Sequence, residues 1–206
     1  MIIQTLKLND GKRFEIVHDD SPESPRNESP LGTIYHWHSR YDLGEKVSGL
    51  QDIELEAGDV SLPIYMYEHG GISISTKPFS CRWDSGQVGM IVLTKAEAER
   101  EFFRRGYKVK AVQAALVGVV EEYGHYLAGE CYGYRVLKQE NVCSHCDRGG
   151  KWIEEGSWGY TGEFNNDLVE VMLSDAGHTM APSDEHQSIV NHQERDTGEY
   201  EPDPAH

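Results

Sequence analysis

Between Thr94 and Leu127 the sequence changes its period, and that change narrows the folds open to the chain. Before it, apolar residues mostly alternate with polar ones; within it, they recur at three and four. Alternation puts one face of a strand into a core, whereas the three-and-four spacing lines one side of a helix. Thr94 and Glu97 fit a capping box, in which hydroxyl and carboxylate each satisfy an orphan amide. A helix is therefore predicted from Thr94 to about Arg105, with Gly106 just past its end. A second helix, about Lys108–Leu127, places Val109, Val112, Leu116, Val119, Val120 and Tyr123 on one face, and Gly129 closes it.

Strand signals stand on both sides of this block. Residues 2–8 and 12–17 alternate around Asn9-Asp10-Gly11, the strongest hairpin signal in the chain. His18–Pro30 carries three prolines and few apolar side chains, so it reads as a loop lying against the body. Thr33–Trp37 reads as a strand, Ser61–Tyr67 and Ile72–Thr76 as a hairpin around His69-Gly70-Gly71, and Gln87–Leu93 as a buried strand. After the helices, Tyr132–Leu137 and Trp152–Tyr160 read as strands joined by a cysteine-containing turn, and Asn166–Leu173 as a last strand. The expected class is α+β: a mostly antiparallel sheet that includes both Ile2–Val17 and Gln87–Leu93, with the two central helices packed on it. Residues 1–173 would form one compact domain. Residues 174–206 have too little apolar surface to offset chain entropy and read as an acidic, disordered tail.

Charge restricts the function classes. Lys and Arg number 19 against 35 Asp and Glu, a net charge of −16. Such a balance opposes generic nucleic-acid binding, which needs cations to replace phosphate counterions. The longest apolar stretch, Ala111–Val120, is broken by Gln113 and is too short to span a bilayer. The opening MIIQTLKLND has no basic segment leading into a long apolar core, so no export signal is expected. Four cysteines, two of them in a Cys-x-x-Cys, suit a reducing cytoplasm better than a disulfide scaffold.

Four stretches carry a resemblance: LGTIYHWHSRYDLG (31–44), LPIYMYEHGGI (62–72), PFSCRWDSGQVGMI (78–91) and GSWGYTG (156–162). Together they resemble an uncharacterised family of small bacteriophage and mobile-element proteins, covering most of residues 22–162 in order. The PFSC-x-WDSGQVG block is the most specific. Near Gly156 the chain departs from the pattern, which has an acidic residue and a cysteine beside Ser157–Trp158; this puts a catalytic or ligand role there in doubt. The resemblance implies a setting, accessory genes expressed inside a bacterium, and assigns no catalytic residue.

Two constellations could carry chemistry. In Cys143-Ser144-His145-Cys146 the thiolates sit at the separation that a tetrahedral zinc needs, with His145 beside them. The second half of such a site is missing, so the segment fits a structural zinc, a redox dithiol or a plain reduced turn. Cys131, Asp147 and the histidine-bearing tail are the remaining ligand sources. The other constellation is His36, His38, Glu68, His69, Cys81 and Asp84, all at predicted strand ends or in loops. A cysteine nucleophile needs a histidine to take its proton and an acid to orient that histidine. Cys81, His69 or His38, and Asp84 could supply the three parts. Against this, Trp83-Asp84-Ser85-Gly86 also reads as turn chemistry, with Cys81 packed as a small apolar residue.

Two functions follow from different classes. One is a non-enzymatic accessory protein that binds a host macromolecule in the bacterial cytoplasm, with a host protein as the expected partner, to blunt a defence or redirect a host enzyme, with no cofactor or only a structural zinc. The other is a small enzyme built on Cys81.

Overall fold

The computed structural model describes residues 1–27, 30–81, 83–102, 108–140, 145 and 151–178. In chain order the elements are β1 (Ile2–Lys7), β2 (Arg13–His18), β3 (Thr33–His36), β4 (Glu45–Lys46), a 3-10 turn at Leu50–Asp52, β5 (Val60–Glu68), β6 (Ile72–Ser75), β7 (Ser85–Leu93), α1 (Lys95–Glu101), α2 (Val109–Leu127), β8 (Cys131–Glu140), β9 (Lys151–Thr161) and α3 (Asn166–Asp175). The class is α+β, and every strand pair but β3–β4 is antiparallel.

The strands form two sheets, where the sequence led us to expect one. The first has the order β1-β2-β8-β9 and the second β4-β3-β7-β5-β6. Ile2–Val17 and Gln87–Leu93 therefore belong to different sheets. The reason is non-local. β2 takes β8 as its second neighbour, with Phe14 opposite Val136 and Ile16 opposite Tyr134, across more than a hundred residues of chain.

Each sheet has its own core and its own helix. In the second sheet, Ile34, Ile64, Ile91 and Leu93 pack against Val112, Leu116, Val120 and Tyr123, a continuous stripe of α2. Ala98 and Phe102 carry the end of α1 into the same core. Burying each large aliphatic side chain contributes about 1.5–3 kcal/mol, which fixes α2 on this sheet. Val109, expected on the buried face, lies in the first turn and is exposed. In the first sheet, Phe14, Ile16, Tyr134 and Val136 pack against Val169, Met172 and Leu173 of α3.

That last helix corrects the expected final strand. Leu168-Val169-Glu170-Val171-Met172-Leu173 contains a two-residue alternation, which suggested β structure. Asn165 decides otherwise, because its side chain accepts from the Leu168 amide and caps a helix there. The expected boundary at residue 173 thus falls inside α3. His178 N–H donates to the Leu173 carbonyl and Gly177 N–H to that of Ser174, closing the helix in a Schellman motif. α2 ends the same way, with Glu130 donating to His125 and Gly129 to Tyr126. Gly177 and Gly129 have φ of 73° and 75°, which a side chain would oppose. The acidic segment from residue 179 onward lies outside the described residues.

At α1 the capping box forms as expected: Thr94 accepts from the Glu97 amide while the Glu97 carboxylate takes the Thr94 amide. Gly106 lies outside the described residues. Among the described residues no helix is long and apolar enough to cross a membrane.

Candidate functional site

The second sheet brings three loops to one end, and those loops carry most of the predicted chemistry. β5 runs out at Glu68 into the turn His69-Gly70-Gly71, β6 returns, and the segment after it leads through Phe79 and Cys81 into β7. Backbone bonds hold this end in shape. Glu68 N–H donates to the Asp84 carbonyl at 2.9 Å and His69 N–H to that of Gly71 at 3.1 Å. The Ser85 hydroxyl donates to the Cys81 carbonyl and closes the turn between them.

Cys81, His69 and Asp84 come together, and the contacts of both thiol and imidazole are with the carboxylate. The Cys81 thiol meets Asp84 Oδ2 at 3.6 Å, and His69 Nδ1 stands 3.7 Å from the same oxygen. Thiol and imidazole thus address the same carboxylate oxygen. A thiolate formed there would face an anion, where catalysis needs an imidazole to receive the proton.

His38, the other candidate base, is engaged elsewhere. Its Nδ1 accepts the amides of Arg40 and Tyr41, at 3.4 and 3.2 Å, and its ring stacks on Tyr41 at 5.4 Å. It shapes the turn after β3. His36 is 1% exposed, and neither ring nitrogen has a hydrogen-bond partner among the described residues. Asp42 Oδ1 approaches its Nε2 to 3.4 Å without hydrogen-bond alignment.

Two features of this end went unread in the sequence. Arg40 forms an ion pair with Glu68, and the Tyr41 hydroxyl donates to the same carboxylate oxygen at 3.3 Å. This contact ties the loop after β3 to the end of β5. The only available signal was that Arg40-Tyr41 falls within one resemblance block and Glu68 within another. The second feature is aromatic. Tyr67 sits with its ring 5.7 Å from Phe79 and 6.1 Å from His69. Beyond them Trp83 stands 94% exposed. Its tryptophan-aspartate-serine-glycine context was read for turn chemistry alone.

Of the zinc candidates, Cys143 and Cys146 lie outside the described residues, and His145 is exposed. Cys131, a possible further ligand, is buried at the opposite end of the β8–β9 hairpin, about 30 Å along the strand. Burial also raises its thiol pKa, which disfavours the thiolate that zinc requires. Among the described residues no group of three or more histidine, cysteine or acidic side chains is placed to hold a metal ion.

One polar cluster outside this end is built into the first core. The hydroxyls of Tyr160 and Tyr134 both donate to Asp175 Oδ2, at 2.5 and 3.2 Å. Burial first, and then the Asp175 carboxylate, hold both phenols above the ordinary tyrosine pKa. The pair fastens the end of α3 to the sheet, a structural duty.

No protein-family model, curated protein or solved structure matches this chain. The site therefore stands on its own geometry.

Proposed function

We propose that the protein is a binding module that docks another protein through the loop end of its second sheet, with Trp83 as the anchor. Trp83 carries the reading. A fully solvated indole contributes nothing to its own fold, whereas tryptophan is among the side chains that most often dominate binding energy when a partner covers them. The Ser85–Cys81 and Glu68–Asp84 bonds hold the residues on either side of Trp83, which reduces the ordering that binding requires. Tyr67, Phe79 and His69 extend the contact surface, and the Arg40–Glu68 pair supplies a polar rim. Within the setting that the phage-like motifs suggest, the partner is a host protein in the bacterial cytoplasm, and the protein serves as a phage or mobile-element accessory factor. A structural zinc on Cys143 and Cys146 is compatible with this role and supplies none of it.

The enzyme reading has one observation in its favour, the gathering of Cys81, His69 and Asp84. That the thiol meets the Asp84 carboxylate, an anion, weighs against it.

The test is comparative. The parent protein is used to enrich a partner from bacterial lysate, and the captured protein is purified and titrated calorimetrically. Trp83→Ala should weaken binding by at least about 2 kcal/mol, or thirtyfold, while leaving the thermal midpoint unchanged. Trp158→Ala, a tryptophan on the other sheet, should bind as the parent does. Equal affinity for the parent and Trp83→Ala would sink the proposal.

A further inference from the structure

A second site lies between the loop after β2, the loop after β3 and α2. There a cleft of about 430 Å³ is lined by Ser24, Arg26, Asn27, Asp42, Glu45 and Tyr123. Its volume falls within the range of small-ligand sites. Its walls carry two opposite charges, a half-buried Arg26 and an Asp42 whose side chain is 91% exposed at the mouth.

Arg26 is the positive charge. Nη1 donates to the Leu31 carbonyl at 3.3 Å and Nη2 to that of Gly32 at 2.6 Å. A guanidinium has five N–H donors, and these bonds use two. No carboxylate among the described residues lies within ion-pairing distance of it; exposed Glu122 attracts it only from farther away. Burial lowers its pKa, so the charge sits there at some expense.

Asp42 is the negative charge. Its Oδ1 accepts the Gly44 amide at 3.3 Å and is also the oxygen nearest His36. Oδ2 has no partner among the described residues. The buried Tyr123 lines the same cleft. Burial raises the pKa of its phenol; Arg26 lowers it and Asp42 raises it, so both charges lie within electrostatic reach of that hydroxyl.

We propose that this cleft binds a small zwitterion of the α-amino acid class, its carboxylate on the Arg26 guanidinium and its ammonium on Asp42. The planar fork of Arg26 suits a carboxylate. The carboxylates Asp42 and Glu45 repel a ligand that is purely anionic and accept one that also carries an ammonium. The Tyr123 hydroxyl and the Ser24 and Asn27 side chains offer neutral hydrogen bonds in the same cleft. The ligand's own side chain would point out of the cleft mouth. This site is separate from the Trp83 surface, and its occupancy does not depend on the docking proposal.

The test uses the full chain and the standard free amino acids at millimolar concentration, followed by thermal midpoint and by amide shifts of Gly32 and Gly44. At least one should raise the midpoint and move both amides saturably. Its N-acetyl derivative, which lacks the ammonium, and its methyl ester, which lacks the carboxylate, should each do neither. Arg26→Gln removes the positive pole but also disturbs the Leu31 and Gly32 carbonyls, so Asp42→Asn is the cleaner variant. It should fold with the parent midpoint and bind about tenfold more weakly or worse. No response to any amino acid would overturn the proposal. So would equal binding of either blocked derivative, or parent-like affinity in Asp42→Asn.

Discussion

Glu15 sits on β2 with 3% of its surface exposed, on the face of the first sheet turned away from α3. Its Oε1 meets Arg13 Nε at 2.8 Å and its Oε2 meets Arg135 Nε at 2.7 Å, directly across the β2–β8 register. Glu15→Ala leaves two guanidiniums that had shared one carboxylate. Removing one partner of a fully buried pair costs about 3–5 kcal/mol. Here the arginine side chains are 44% and 31% exposed, so both regain some water. Arg135 also keeps Glu154 at 3.8 Å. The expected loss is therefore smaller, about 2–3 kcal/mol. At about 2–4 °C per kcal/mol for a domain of this size, the thermal midpoint should fall by roughly 5–10 °C. Glu15→Gln keeps the shape and an acceptor and should lose about 1–2 kcal/mol. Urea unfolding followed by circular dichroism reads both values. Salt screens exposed pairs and spares buried ones, so the gap should persist at high ionic strength. A Glu15→Ala protein within about 0.5 kcal/mol of the parent would refute the reasoning, since that is the range of an ordinary surface change.

Tyr160 and Tyr134 hold their protons more tightly folded than unfolded. Their contribution is therefore complete below about pH 10, the ordinary tyrosine value, and declines as pH rises beyond it. Urea midpoints between pH 8 and 11 should show that decline, less steeply in Asp175→Asn; identical slopes would count against the cluster. A Cβ added at Gly133 would fall 2.3 Å from Trp158 Cε3 and 2.9 Å from the Ser157 carbonyl oxygen, so Gly133→Ala should lose about 1–3 kcal/mol. Parent-like stability on urea titration would mean that the indole does not cover that glycine. With half a zinc motif, protein purified without added metal should contain no stoichiometric zinc on elemental analysis, and Cys143→Ser with Cys146→Ser should melt as the parent does. Near-stoichiometric zinc that vanishes in the double variant would reverse that expectation.

The legible parts of the fold are those whose causes lie within a few residues. Asn9-Asp10-Gly11 closes the first hairpin as its composition implies, with Gly11 at φ 81° and the Lys12 amide bonded to Asp10. The Thr94 cap and the Val112–Leu116–Val120 stripe are equally local, and both were readable. The division into two sheets was not, because it depends on β2 choosing β8 over any strand nearer in sequence. α3 failed for a different reason. Its alternation and its helical spacing coexist in six residues, and the deciding Asn165 cap is a single atom's hydrogen bond.

The same distinction governs the candidate site. Cys81 and Asp84 are three residues apart and were bound to be neighbours, while His69 joins them because β5 and β7 pair in register. What spacing could not supply was which groups touch, and in the fold the thiol and the imidazole both meet the Asp84 carboxylate. The tryptophans make the point more sharply. Trp158 stands directly between a serine and a glycine, and Trp83 lies two residues before a serine and three before a glycine; neither spacing tells which indole the fold covers. In the fold, the Trp158 indole lies against Gly133 of the neighbouring strand, where the missing side chain leaves it room. It is 55% exposed and contributes packing to its sheet. Trp83 is 94% exposed, so the core makes little use of its indole. On the docking reading proposed above, that exposed indole, more than the cysteine two residues before it, is the side chain that a partner would cover.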